Sequence, residues 1–197
     1  MHKLASLLVG ALALAPTAAF AHTGIGLAAD HVHGFMHPLG GLDHILAMVA
    51  AGIFAYQLGG RALWAVPATF VLVMAAAGGL GMAGMPLPFV ESGIALSVIV
   101  LGAIVALGMK APVAIAMGIA GLFAIFHGYA HGAELPSNAS GLGYAFGFML
   151  ATALLHAAGI GLGHAVGRVG ESYGKSVYRV AGAVVAIAGV GLLTGAV

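Results

Sequence analysis

Residues 90–134 read VESGIALSVIVLGAIVALGMKAPVAIAMGIAGLFAIFHGYAHGAE. Between Glu91 and Glu134 the one charged residue is Lys110, placed in a Gly108–Pro112 break. The apolar run on each side reaches the roughly 20 residues that a bilayer-crossing helix needs. Working outward, the pattern recurs near 38–59, 62–84, 90–109, 111–133, 141–166 and 177–196. Between these stretches lie Gly59-Gly60-Arg61, Met85-Pro86-Leu87-Pro88, Lys110-Ala111-Pro112, and the loops at 135–141 and 168–175, the punctuation that glycine and proline supply. A transmembrane β-barrel would alternate apolar and polar residues, whereas these runs are continuously apolar. The expected fold class is all-α, a polytopic helical membrane protein with six transmembrane helices.

Composition points the same way. Of 197 residues, 62% are hydrophobic and 6% charged, with mean hydropathy +1.13. Soluble domains carry about 25% charged residues, so the lipid bilayer is the expected surroundings. A net charge of +1 without a basic patch leaves no case for nucleic acid. The chain has 33 glycines and no cysteine. Small-xxx-small pairs such as Gly143/Gly147 and Gly159/Gly163/Gly167 allow close helix contact, and they also permit a homo-oligomer. No partner protein is evident. Without cysteine there is neither disulfide nor thiolate, and imidazole and carboxylate remain as metal ligands.

Residues 1–21 read as a cleavable secretory signal, with Lys3, an apolar Leu4–Ala15 core too short to span, and Ala19-Phe20-Ala21 as the cleavage site. The domain plan is therefore a signal at 1–21 and a six-helix permease domain at 22–197. Cleavage makes His22 the mature N-terminus, on the outer side. Arg61, Lys110, Arg168, Lys175 and Arg179 then all fall in or beside the three inward loops, which satisfies the positive-inside rule. The expected location is the bacterial cytoplasmic (inner) membrane, multi-pass, with a periplasmic mature N-terminus.

Two strings place ionisable groups at the edges of apolar runs: His37-Pro38-Leu39-Gly40-Gly41-Leu42-Asp43-His44 and Phe126-His127-Gly128-Tyr129-Ala130-His131-Gly132-Ala133-Glu134. Such groups are expensive in a membrane and mark ion paths or relays by default. At about 1.5 Å per residue, the first helix descending from Pro38 and the fourth ascending to Ala133 give two levels. The upper holds His37, His131 and Glu134; the lower holds Asp43, His44 and His127. His127 and His131, four apart, share a helix face. His37 and His44 lie about 10 Å apart along a continuous helix and cannot share one ion, so His37 serves as a ligand at the mouth. Asp43 is either a carboxylate ligand or the acceptor that orients the His44 imidazole.

Other polar residues are weighed one by one. His156 lies roughly 20 Å below the outer end of the fifth helix and reads as a deep relay. His164, near Arg168, reads as interfacial. Glu91 suits the positive end of the third helix. His22, with its α-amine, joins His31, His33 and Asp30 in an external cluster suited to metal capture.

The first string, followed by Leu46-Ala47-Met48 and Gly52, closely resembles the HupE/UreJ family of membrane proteins, and the Phe126–Glu134 string resembles that family's second motif. The resemblance covers the whole chain. It implies a nickel or cobalt permease, often associated with maturation of hydrogenase or urease. It also implies that His37, Asp43 and His44 are needed for transport, with His127 and His131 as further candidates. The larger nickel/cobalt transporter family has one residue fewer between its first histidine and the Asp-His pair, which favours HupE/UreJ.

The expected function is thus inward carriage of Ni(II) or Co(II), the ion being substrate and no permanent cofactor being bound. Imidazole and carboxylate also suit Zn(II) and Cu(II). No enzymatic activity is expected: His127-Gly128-Tyr129-Ala130-His131 lacks the glutamate of the helical metalloprotease motif. No nucleotide-binding P-loop is present. A membrane potential of 100 mV gives a divalent cation about 4.6 kcal/mol inward, twice the single-charge value. The competing class is a membrane cytochrome with His44, His127 or His156 as haem ligands; an absorbance spectrum separates the two.

Overall fold

The computed structural model describes residues 27–135 and 141–196. The signal-peptide reading and His22 lie outside the described residues. The elements are α1 (Leu27–Met36), a 3-10 turn (His37–Leu39), α2 (Leu42–Leu58), α3 (Ala62–Met82), α4 (Val90–Leu107), α5 (Val113–Ala133), α6 (Gly141–Gly167) and α7 (Glu171–Thr194). Among the described residues there is no strand. Helices α3 to α7 are each long and apolar enough to cross a membrane, and α2 joined to the bent segment before it makes a sixth candidate.

Two boundaries differ from the sequence reading. The first span starts at Leu42 rather than 38. Pro38 sits in the 3-10 turn, and Gly41 is extended (φ −96°, ψ 117°), so the helix cannot run through. The chain instead bends by 79° there. Residues 27–36, expected as a polar leader, are helical and pack along α6. The last helix starts at Glu171, six residues before the expected 177, because the Arg168–Lys175 segment contributes its second half to the helix.

Glycine sets the packing. The closest pairs are α3 with α5, α4 with α7, and α2 and α1 with α6. A Cβ on Gly128 would sit 2.1 Å from the Met74 carbonyl oxygen, and one on Gly132 2.1 Å from that of Gly78. Backbones touch there, as small residues allow when lipid supplies no hydrophobic drive between helices. Gly147 meets the His31 carbonyl, and Gly159 meets that of Val49. Because Gly128 is next to His127, α5 is held against α3 at the level of the histidines. Gly128→Val should therefore lower the thermal unfolding midpoint in detergent by roughly 2–10 °C, the overpacking range for a chain of this size. An unchanged midpoint would show that the α3–α5 contact is loose.

Lys110 Nζ donates to the Gln57 carbonyl. The loops holding Arg61 and Lys110 thus share one end of the bundle. The histidine strings occupy the other, since Gln57 and His44 stand at opposite ends of α2.

Candidate metal centre

The first turn of α2 has backbone N–H groups with no helical acceptor. The Asp43 carboxylate fills one such need, accepting from the His44 N–H at 2.7 Å. It therefore does not orient the His44 imidazole, whose Nδ1 has no partner. Asp43 also falls outside both groups of converging ligand atoms among the described residues. This corrects the orienting role expected from its place in the sequence.

The converging groups are two triads. One ring nitrogen each from His44, His127 and His131 lie within 4.8 Å of one another, and so do ligand atoms of His37, His131 and Glu134. The upper level is thus assembled as the helix spacing predicts. In the lower triad His131 stands where Asp43 was expected, and it serves both. His37 Nε2 lies 3.0 Å from His131 Nδ1 and 3.2 Å from Glu134 Oε2, which in turn is 3.6 Å from His131 Nδ1. His37 and His44 belong to different triads, consistent with their sequence separation. The outer triad is partly open, with Glu134 exposed; in the inner one His44 and His127 are fully buried.

Burial without pairing is the informative part. His127 Nε2 is 2.8 Å from Ser97 Oγ, whose own proton goes to the Ile94 carbonyl at 2.6 Å. The hydroxyl must therefore accept, and the proton on His127 is at Nε2. His44 Nε2 is 3.0 Å from Thr152 Oγ1, which also lies 3.8 Å from the Met74 sulfur. The His127 imidazole is thereby fixed with Nδ1 as a bare lone pair, and neither its Nδ1 nor that of His44 has a hydrogen-bond partner. A buried acceptor left unpaired is costly. Fixing the tautomer of a ligand histidine through its other nitrogen is how proteins orient metal-binding imidazoles.

Aromatic rings wall the site. Phe148 of α6 packs on His131 at 4.5 Å and on His44 at 5.1 Å between centroids. Phe70 of α3 packs on His127 at 5.8 Å. Sequence reading missed Ser97, Thr152 and both phenyl rings. The hydroxyls were visible as isolated polar residues inside apolar runs, but their partners lie on other helices.

The remaining candidates are dispersed. His31 Nδ1 donates to the Gly143 carbonyl at 2.8 Å, tying α1 to α6. His33 is exposed, with its ring 6.2 Å from that of His37, and it belongs to neither triad. Glu91 is exposed in the first turn of α4. His164 is exposed and edges against Tyr56. His156 is buried on α6 and belongs to neither triad.

The family described as HupE / UreJ protein matches residues 10–192. The chain belongs to the HupE/UreJ family. It is 50% identical over 188 residues to Protein HupE of Rhizobium leguminosarum bv. viciae, covering 95% of each chain. No solved structure matches it. As a HupE/UreJ protein it is a multi-pass membrane protein, and both triads are built from the two strings that carried the resemblance.

Proposed function

We propose that this protein carries nickel(II), or cobalt(II), inward across the bacterial cytoplasmic membrane to supply metalloenzymes such as hydrogenase or urease. The ion enters from the periplasmic side. The reading rests chiefly on one observation: two triads share His131, and the inner one holds His44 and His127 buried, each with an unpartnered Nδ1. Three neutral nitrogens with a neighbouring carboxylate suit a borderline divalent ion, while a calcium or magnesium site would be built from oxygen. Membership of the HupE/UreJ family supports hydrogenase or urease supply.

Two triads with a common member suggest a hand-over. An ion held by His37, His131 and Glu134 reaches His44 and His127 without leaving His131. The haem alternative fits less well, because axial haem ligation needs two imidazoles facing each other across a flat ring, whereas three converge here. The leader, with a cleaved signal at 1–21, would place His22 and the exposed His33 as capture ligands. Positive-inside charge and the shared end of the Arg61 and Lys110 loops support an outward-facing site.

Uptake of radioactive nickel into cells tests the reading. His44→Ala and His127→Ala should each reduce initial uptake at least tenfold at equal membrane abundance. Uptake equal to the unmodified protein in both variants would defeat it. Acidification should also slow uptake, since protons compete with the ion for the same lone pairs. Initial rates at fixed membrane potential and falling external pH would check this, and a flat profile would argue against imidazole ligation.

A further inference from the structure

Glycine contacts divide the bundle into rigid parts. Wherever a Cβ added to a described glycine would fall within 2.5 Å of another helix's backbone, the two helices belong to one of three groups. Gly52 and Gly159 fuse α2 to α6, Gly81 and Gly132 fuse α3 to α5, and Gly102 and Gly182 fuse α4 to α7. Helix α1 joins the first group through Gly34, set against the Tyr144 carbonyl. Touching backbones have no side chain between them to yield, and interiors packed this closely transmit displacement rather than absorb it. Among the described residues no such contact joins α3 to α6. Across that seam side chains meet side chains, with Met74 Sδ 3.8 Å from Thr152 Oγ1 and the Phe70 ring 5.2 Å from that of His156. Two open grooves, of about 420 and 360 Å³, run along its outer and inner halves.

The cation ligands stand on both sides of the seam. His37 and His44 belong to the α1–α2–α6 body, and His127, His131 and Glu134 to the α3–α5 body. Each triad therefore takes ligands from both. Thr152, which holds His44, travels with it on α6. Inward of the inner triad, Met48 of α2, Leu101 of α4 and Phe123 of α5 are buried, so an ion there meets apolar side chains until the bundle rearranges. Helix α4 is tied differently at its two ends. At the outer end Ser97 bonds His127, and Gly93 abuts the Phe126 ring of α5. At the inner end the Gln57 amide of α2 donates to the Val105 carbonyl at 3.1 Å. Helix α4 thus joins one body outside and the other inside, the placing that a pivot requires.

We infer that the cation moves inward by rocking of the α1–α2–α6 body against the α3–α5 body across the α3–α6 seam, with α4 and α7 as the pivot. This rests on the transport reading above. Rocking of one rigid bundle against another around a site between them is a general solution to alternating access. Here it has a specific consequence, because each triad is split between the bodies. As they part around the inner triad, the ion loses His44 and keeps His127 and His131. A site with two ligands releases what a site with three holds.

The test uses the full chain in proteoliposomes, and a sequence without cysteine leaves no competing thiol. Met82→Cys with Gly141→Cys spans the seam, since a Cβ on Gly141 lies 4.0 Å from the Met82 sulfur. Thr69→Cys with Gly121→Cys lies within the α3–α5 body, where a Cβ on Gly121 is 3.5 Å from Thr69 Cγ2. Nickel(II) flux is measured before and after bridging with a short bifunctional methanethiosulfonate reagent, and again after reduction. Bridging the seam should cut flux at least tenfold, with recovery to within about twofold on reduction. Bridging inside the α3–α5 body should leave flux within about twofold. Cobalt(II) absorption titration should stay within about twofold in both, because the triads are intact. If the seam pair is inactive while reduced, Ala68→Cys with Ala157→Cys, both lining the inner groove, takes its place. Full flux through a bridged seam would overturn the inference, and so would equal loss in both bridged pairs or cobalt(II) binding lost in step with flux. If the unmodified protein neither binds cobalt(II) nor carries nickel(II), it is the transport reading that falls.

Discussion

His131→Ala should abolish nickel uptake, by at least a hundredfold at low external metal, and should do so more completely than loss of any other ligand. It is the residue common to both triads, so its removal leaves His37 with Glu134 outside and His44 with His127 inside, two donors each. Neither remnant holds three, and the step in which the ion keeps one ligand while exchanging the others is lost. Glu134→Gln is the informative comparison, because it weakens only the outer group, whose carboxylate is exposed. That variant should raise the nickel concentration giving half-maximal uptake while leaving the maximal rate within about twofold. His131→Ala should depress both quantities. Since the His131 ring also packs on Phe148, the two variants are compared at equal abundance and with the same elution profile in detergent. If His131→Ala kept more than half of the normal uptake, a shared ligand could not be part of the path.

Much of this arrangement was legible in the sequence, for definable reasons. Helix spacing is local, so the co-facial pair His127 and His131 and the upper grouping with Glu134 followed from residues four and three apart. The long apolar runs gave the spans, because length and hydropathy are local too. What failed was local geometry overridden by one dipeptide. Treating Pro38 as the start of a straight helix put Asp43 among the ligands of the lower level, where only His44 of the two stands. With the helix starting at Leu42, Asp43 is spent on the His44 N–H, and the bent leader packs along α6. Ser97, Thr152, Phe70 and Phe148 were invisible for a different reason. Each acts across a helix interface, and nothing in the spacing of one helix says which residue of another it meets. The glycines that decide those interfaces were visible as small residues, but not which backbone each would touch.

The second large effect concerns residues that touch no metal. Thr152→Val keeps the shape of the side chain and removes the hydroxyl that shares a hydrogen bond with His44 Nε2. Ser97→Ala does the same for His127. In the unmodified protein the Ser97 hydroxyl has spent its only proton on the Ile94 carbonyl, and so it can only accept, whereas Thr152 Oγ1 lies 3.0 Å from His44 Nε2 and 3.8 Å from the Met74 sulfur. At His127 this forces the imidazole proton onto Nε2 and keeps Nδ1 free. Once the acceptor is gone, the buried Nε2–H is unsatisfied, and the ring gains by moving its proton to Nδ1 or by turning. Either response costs the lone pair its aim. Loss of such a supporting hydrogen bond lowers metal affinity by roughly 10–100-fold, and that range is expected for each variant in a cobalt(II) titration. Thr152→Ser and Ser97→Thr restore a hydroxyl and should bring affinity back to within a few fold. A purely structural role would instead show as an equal drop in the thermal unfolding midpoint measured without metal. Affinity unchanged in Thr152→Val would mean that the His44 tautomer is set by something other than this hydroxyl. If both alcohols matter, the inner triad's ability to ligate is set by proton placement two atoms away from the ion, and the apolar helices α4 and α6 belong to the transport machinery as much as the two histidine strings do.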